Sequence, residues 1–209
     1  MAETDLHRDD MVDTIHILQD FYADRPRVYV SGNLLLYYEE GNPRKHISPD
    51  VLVSIGIDKE PRRDYYLVWK EGKAPDFVGE ITSKTTRRED QRTKFALYRD
   101  VLKVPEYVQF DPRAEYLKPP LQGFRLIGGE YVPIELVDGR LPSEVLGLHL
   151  ERDGERLRLF DPTTGQYLLT RLEQREAAER RAEAAEADRR RLAEENERLR
   201  REIKALRGR

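Results

Sequence analysis

Cysteine is absent from this 209-residue chain, which excludes disulfides, thiolate metal ligands and a cysteine nucleophile and suits a reducing compartment. Long apolar runs are missing as well: no stretch approaches the roughly eighteen residues of a membrane span. The N-terminal "MAETDLHRDDMVDT" is too acidic and polar for a signal peptide. The expectation is a soluble, cytoplasmic protein with no membrane partner. Histidine is scarce, with 4 residues at positions 7, 16, 46 and 149 and no paired spacing of the kind a zinc site uses, so these read as structural or exposed. Phosphate-cradling glycine loops are lacking, since "LIGGEY" is an isolated glycine pair in a turn, and no nucleophile elbow supports serine hydrolysis. Carboxylates remain as the chemistry-bearing groups.

An excess of positive charge is missing from the body of the chain. Residues 171–209 hold 13 Arg or Lys against 10 Asp or Glu, which leaves 24 against 30 for residues 1–170. Composition therefore argues against tight non-specific nucleic-acid binding, where phosphate neutralisation supplies most of the affinity, while leaving room for a local basic groove.

What is present is alternating structure. Met11, Ile15, Leu18 and Tyr22 are spaced by three and four, predicting a helix from about Asp9 to Tyr22 that "ADRP" ends. "RVYVSGNLLLYYEE" reads as two short strands around Gly32, "PDVLVSI" as a buried strand, "DYYLVW" as a weaker one and "DFVGEI" as another. A helix is expected over about 86–102, capped by Thr85 or Thr86 and closed by "VP", followed by the strand "EYVQF". This order describes an α/β fold, helices covering a mixed sheet, in a domain spanning 1–170 whose residues 112–170 form a β-rich annex. Residues 171–209 are helical in every local choice, without Gly or Pro before Gly208. Leu192, Leu199 and Leu206 at d, with Asn196 and Ile203 at a, set a heptad register that favours a parallel two-stranded coiled coil and hence a homodimer. Arg175 and Arg189, both at a, fit a solvated single helix instead.

Two carboxylates stand where strands begin and end. Asp50 opens one strand after Pro49, and Glu80 closes "DFVGEI". If those strands are antiparallel neighbours the two carboxylates converge, as the ligand set of a hard oxygen-seeking ion, Mg²⁺ or Mn²⁺. Aspartate after proline is also an ordinary turn residue. Asp76 is excluded from the pair, lying about 13 Å from Glu80 along the strand. In the following helix Lys94 falls within the apolar arc of Phe95, Tyr98, Val101 and Leu102. Such a lysine either reaches solvent along the helix surface or meets a carboxylate.

"SPDVLVSIGI", "APDFVGEITSKTTRREDQRTKFALYRDVLKVPEYVQFDP" and "PPLQGFRL" resemble the Uma-type family of restriction-endonuclease-like proteins, long labelled a domain of unknown function, within the PD-(D/E)XK nuclease superfamily. The resemblance covers about residues 10–170. It implies a restriction-endonuclease-like core, a metal held at the middle strands, and DNA as substrate. Asp50 then matches the first motif aspartate and Glu80 the acid of the second. The lysine two residues after that acid is absent, Thr82 standing there; Lys94 matches a lysine that similar proteins keep in the following helix, and Lys84 competes with it. Catalytic Asp50, Glu80 and Lys94, with Asp50 and Glu80 on Mg²⁺ or Mn²⁺, define an endonuclease. The alternative is an inactive nuclease-fold scaffold that recruits partners through its coiled coil.

Overall fold

The first apolar stripe forms helix α1 (Asp5–Phe21), which begins four residues earlier than the spacing predicts because Thr4 accepts the His7 N–H and supplies a cap. Its Met11, Ile17 and Leu18 are buried, and Tyr22, just past the helix, donates its hydroxyl to the Leu146 carbonyl at 2.7 Å. The structure, a computed structural model, describes residues 4–82 and 89–207. The expected caps Thr85 and Thr86 and the competing Lys84 lie outside the described residues.

After α1 come β1 (Val28–Ser31), β2 (Leu36–Tyr37), β3 (His46–Ile47), β4 (Val51–Ile55) and β5 (Tyr66–Leu67), then the single turn α2 (Val68–Glu71) and β6 (Phe77–Ile81). The predicted strand over 64–69 thus shortens to two residues, and β3 is an addition. Two π-helical segments, Glu89–Lys94 and Leu97–Val101, lead to β7 (Glu106–Phe110). The remainder is β8 (Leu121–Ile127), β9 (Glu130–Pro133), β10 (Leu141–Ser143), β11 (Leu148–Asp153), β12 (Arg156–Asp161) and β13 (Gln166–Tyr167).

The main sheet has six strands in the order β1-β4-β6-β7-β8-β9, with β6 and β7 parallel and the other neighbours antiparallel. A parallel pair needs a crossover connection, and the segment carrying the π-helical turns supplies it. The annex is a four-stranded sheet, β10-β11-β12-β13, and a three-stranded sheet, β3-β2-β5, flanks the other side of the chain's first half.

The main sheet is covered on both faces, and the two coverings differ in kind. One cluster joins Met11, Ile17 and Leu18 of α1 to Val51, Val53, Phe77, Ile81 and the annex leucines. The other joins Leu36, Leu52 and Val78 to Tyr66, Tyr98 and Tyr107. Glu106, 1% exposed, fastens the annex to the sheet, accepting from Ser143 Oγ, from the Glu144 and Val145 N–H groups and from Arg125. Such a buried carboxylate persists because each oxygen is hydrogen-bonded.

The chain divides into two units, Met1–Leu168 and Leu169–Arg209. The second is helix α3 (Arg171–Arg207), opened by a reciprocal cap in which the Thr170 N–H donates to Glu173 Oε2 at 2.8 Å and the Glu173 N–H to Thr170 Oγ1 at 3.2 Å. Leu192, Leu199 and Ile203 are about half exposed, and the Asn196 amide turns back to the Leu192 carbonyl; the side chain of Leu206 lies outside the described residues. No helix among them is long and apolar enough to cross a membrane.

Candidate active site

The antiparallel register of β4 and β6 pairs Val51 with Gly79, so Asp50 and Glu80 come next in line across the ladder. Close packing holds Asp50 there. A Cβ on Gly32 would stand 1.9 Å from the Asp50 carbonyl oxygen and 2.6 Å from Ile15 Cδ1, so only glycine lets the chain leave β1 so near the Asp50 backbone. The Asn33 N–H then donates to the Pro49 carbonyl at 2.7 Å. The Asp50 carboxylate accepts the Ile81 N–H through Oδ2 at 2.7 Å, and the same oxygen lies 3.1 Å from His7 Nε2. Among the described residues Oδ1 takes no hydrogen bond.

Glu80 is 1% exposed. Its Oε2 accepts from Lys94 Nζ at 2.8 Å and its Oε1 from the Tyr98 hydroxyl at 2.6 Å. Lys94 therefore meets a carboxylate rather than snorkelling to solvent. Burial, and then the charge on Glu80, hold the Tyr98 phenol well above its ordinary pKa, so it acts as a donor throughout the physiological range. Tyr98 packs at 5.0 Å on Tyr107, whose hydroxyl accepts from Gln109 Nε2 at 2.9 Å, and Gln109 is the register partner of Glu80 on β7.

The winding of the crossover segment decides which side chains reach this face. Its Leu102 N–H bonds to the Leu97 carbonyl, a closure of five residues, so each residue turns less than in an α-helix. Lys94, Tyr98 and Leu102 are buried, whereas Val101, expected in the apolar arc, is 58% exposed. The expectation assumed about 100° per residue, and wider π-helical turns carry Val101 off that arc.

Asp50, Glu80 and Lys94 are thus gathered at one end of the main sheet. Asp76 serves elsewhere: it accepts the Ile55 N–H and pairs with Lys73, each at 2.7 Å. Two members of the cluster were not foreseen. His7 reads in sequence as one scattered histidine, and nothing local reveals a partner 43 residues away. Tyr98 reads as a core aromatic; its i, i+4 spacing from Lys94 is the signal that links them. Thr82, two residues after Glu80, bonds through its N–H to the Phe110 carbonyl at 2.7 Å, and among the described residues its buried hydroxyl has no partner.

Whether this constellation suits a divalent ion follows from its donors. Among the described residues no three His, Cys, Asp or Glu side chains gather as a metal cluster. Two carboxylates, one with an open oxygen, nevertheless fit Mg²⁺ or Mn²⁺, which take one or two carboxylates and complete their shell with water.

The family model described as "Uma2: Putative restriction endonuclease" matches residues 1–188. The chain belongs to the Uma2 family. The match runs through the whole sheet-bearing unit and into the first half of α3. Among solved structures the fold resembles a putative nuclease belonging to DUF820 from Anabaena variabilis ATCC 29413, with a TM-score of 0.51 and 16% identity over 72% of this chain and 80% of that one. At that identity the likeness speaks for the fold, a mixed α/β, restriction-endonuclease-like architecture. No curated protein matches the chain.

Proposed function

We propose that this Uma2 protein is a divalent-metal-dependent endonuclease that hydrolyses phosphodiester bonds in DNA. The observation that carries the reading is the convergence of Asp50, Glu80 and Lys94 at adjacent strand ends, with Lys94 Nζ 2.8 Å from Glu80. Asp50 and Glu80 would hold Mg²⁺ or Mn²⁺. When bound, such an ion lowers the pKa of a water and offsets charge growing on the phosphate. Lys94 orients the attacking water and adds positive charge beside the scissile phosphate. Tyr98 fixes the Glu80 carboxylate, and the Ile81 N–H and His7 fix that of Asp50, leaving Oδ1 directed by its own planarity. Water adds to phosphorus as the ester P–O bond breaks, the attacking water gives a proton up to solvent, and the departing alkoxide takes one from solvent.

Nicking of supercoiled plasmid tests this. Wild type should cut with Mg²⁺ or Mn²⁺ and stop in excess chelator, Glu80→Gln should abolish cleavage, and Lys94→Met should slow it by roughly 10²-fold. Equal activity in wild type and Glu80→Gln would refute the assignment.

Two observations favour a second reading, a non-catalytic nuclease-fold scaffold: Thr82 replaces the superfamily lysine, and Lys94 and Tyr98 already occupy both oxygens of a Glu80 side chain that is 0% exposed. Absence of cleavage together with failure of Mg²⁺ or Mn²⁺ to bind in calorimetry would select it. In either reading α3 pairs with a second copy through Leu192, Asn196, Leu199 and Ile203, in a parallel dimer. Sedimentation equilibrium of the full chain, against a chain ending at Thr170, should show the mass more than halved by the truncation; a difference of only the removed segment would leave α3 a solitary helix.

A further inference from the structure

Away from the buried cluster, a concavity of about 400 Å³ opens on the outer side of the three-stranded sheet β3-β2-β5. Leu36 and Tyr66 are register partners that turn inward and are fully buried. Strand alternation carries the next pair, Tyr37 and Leu67, and also Tyr65 to the other side, where they line the concavity with Trp69 of α2. Tyr65 meets Tyr37 edge to face, with ring centroids 6.0 Å apart and planes at 88°. Two rings at right angles make a corner, and a group seated in that corner meets the face of each. The support is firm, because Arg63 grips Glu71 at the end of α2 through two hydrogen bonds, at 2.6 and 2.9 Å. Among the described residues Glu39 is the one charged side chain of the lining, and no Lys or Arg pairs with it. The Asn42 amide, also in the lining, is already engaged on both sides: it donates to Glu39 Oε1 at 2.9 Å, and its oxygen accepts the Arg44 N–H at 3.2 Å.

We propose that this concavity binds a small quaternary ammonium compound. Aromatic rings attract a cation through the negative charge of their faces, and three of them, Tyr37, Tyr65 and Trp69, stand around a single carboxylate. Glu39 gives the lining the sign that repels an anion and that a neutral apolar ligand would not use. The scarcity of free acceptors then selects among cations. A primary ammonium brings three N–H donors and a guanidinium five, and covering them without partners costs free energy. A quaternary nitrogen has no N–H to satisfy, so π-faces and one carboxylate are all that it needs. The volume lies within the usual range of small-ligand sites, about 300–1,000 Å³, which suits a free solute. A solute that carries its own carboxylate is disfavoured, since Glu39 opposes it and no basic side chain of the lining receives it. The site draws on none of Asp50, Glu80 and Lys94 and stands apart from the nuclease reading.

The chain's single tryptophan, Trp69, lines the concavity, so its emission reports on binding. Full-length protein is titrated with choline, with the uncharged analogue in which a tert-butyl group replaces the trimethylammonium, and with glycine betaine, sodium chloride holding the ionic strength constant. Magnetisation transfer from the protein to the choline methyl protons, followed by NMR, is a second readout. Choline should give a saturable emission change and methyl-proton transfer, with the uncharged analogue about tenfold weaker and betaine weaker than choline. Tyr65→Ala, which keeps the reporter, should weaken choline binding on the order of tenfold, and Tyr65→Phe, which keeps the ring face, should restore it. Glu39→Gln should weaken it about fivefold. Absence of both signals, equal binding of the uncharged analogue, or undiminished binding by Tyr65→Ala would each overturn the proposal. So would a response confined to a peptide bearing trimethyl-lysine or to phosphatidylcholine vesicles, which would assign the aromatic corner to a macromolecular partner or a membrane instead of a free solute.

Discussion

A carboxylate is buried on each side of the main sheet, and the two are neutralised in different ways. Glu80, among the tyrosines, is met by the Lys94 ammonium and the Tyr98 hydroxyl. Among the described residues, Asp10 of α1, 6% exposed on the aliphatic side, has no such cation in contact, and its Oδ2 has no partner. Burial raises the Asp10 pKa to about 7, the Leu157 backbone and the charge of Arg156 offsetting part of that rise while Asp13 and Asp9 add to it. One acid keeps its charge by acquiring a counter-ion, and the other gives its charge up by taking a proton. A charge held ready beside an ammonium is useful for chemistry, whereas a carboxyl that is half protonated near neutrality mainly makes stability depend on pH.

The largest expected effect comes from breaking the first arrangement. Lys94→Met leaves Glu80 buried without its cation and should cost about 3 kcal/mol at neutral pH, as removal of one member of a buried ion pair does. Urea unfolding would measure it, and adding Glu80→Gln to the same chain should recover most of the loss. If the double variant is no better than the single, the pair is not what holds that face.

Next is the protonated acid. Its folded pKa, about 7, lies above the ordinary aspartate value of 3.8, so the folded state holds the extra proton and stability falls as pH rises between those two values. Asp10→Asn mimics the protonated form. It should match wild type near pH 4 and exceed it by about 2 kcal/mol at pH 8. Parallel unfolding curves across that window would show that Asp10 is charged and solvated after all.

The smallest effect probes the second donor to Glu80. Tyr98→Phe keeps the ring against Tyr107 and removes only the 2.6 Å hydrogen bond, which should cost about 1.5 kcal/mol, the lower range for a bond to a charged group. Calorimetric Mg²⁺ titration of the same variant should show weaker binding if Tyr98 positions the carboxylate. Unchanged affinity would confine Tyr98 to packing.

Local periodicity made α1, β1, β4, β6 and β7 legible in the sequence, because each writes its apolar face at a spacing of its own. That the strands following Asp50 and carrying Glu80 would meet antiparallel was legible too, and the lysine on an apolar arc announced a need for an anion. Other features depend on contacts that no local spacing records. The Val101 side chain left the expected face because the crossover segment winds in π-helical turns, a choice among backbone states that side-chain pattern does not distinguish. His7 reached Asp50, and Asp10 lost water, only when α1 was laid against strands that lie far along the chain. The sequence by itself determined which residues carry charge and which faces seek burial; the tertiary structure decided which buried charge found an ammonium and which had to keep a proton, since desolvation and Coulomb attraction depend on distances that exist only after the sheet has formed.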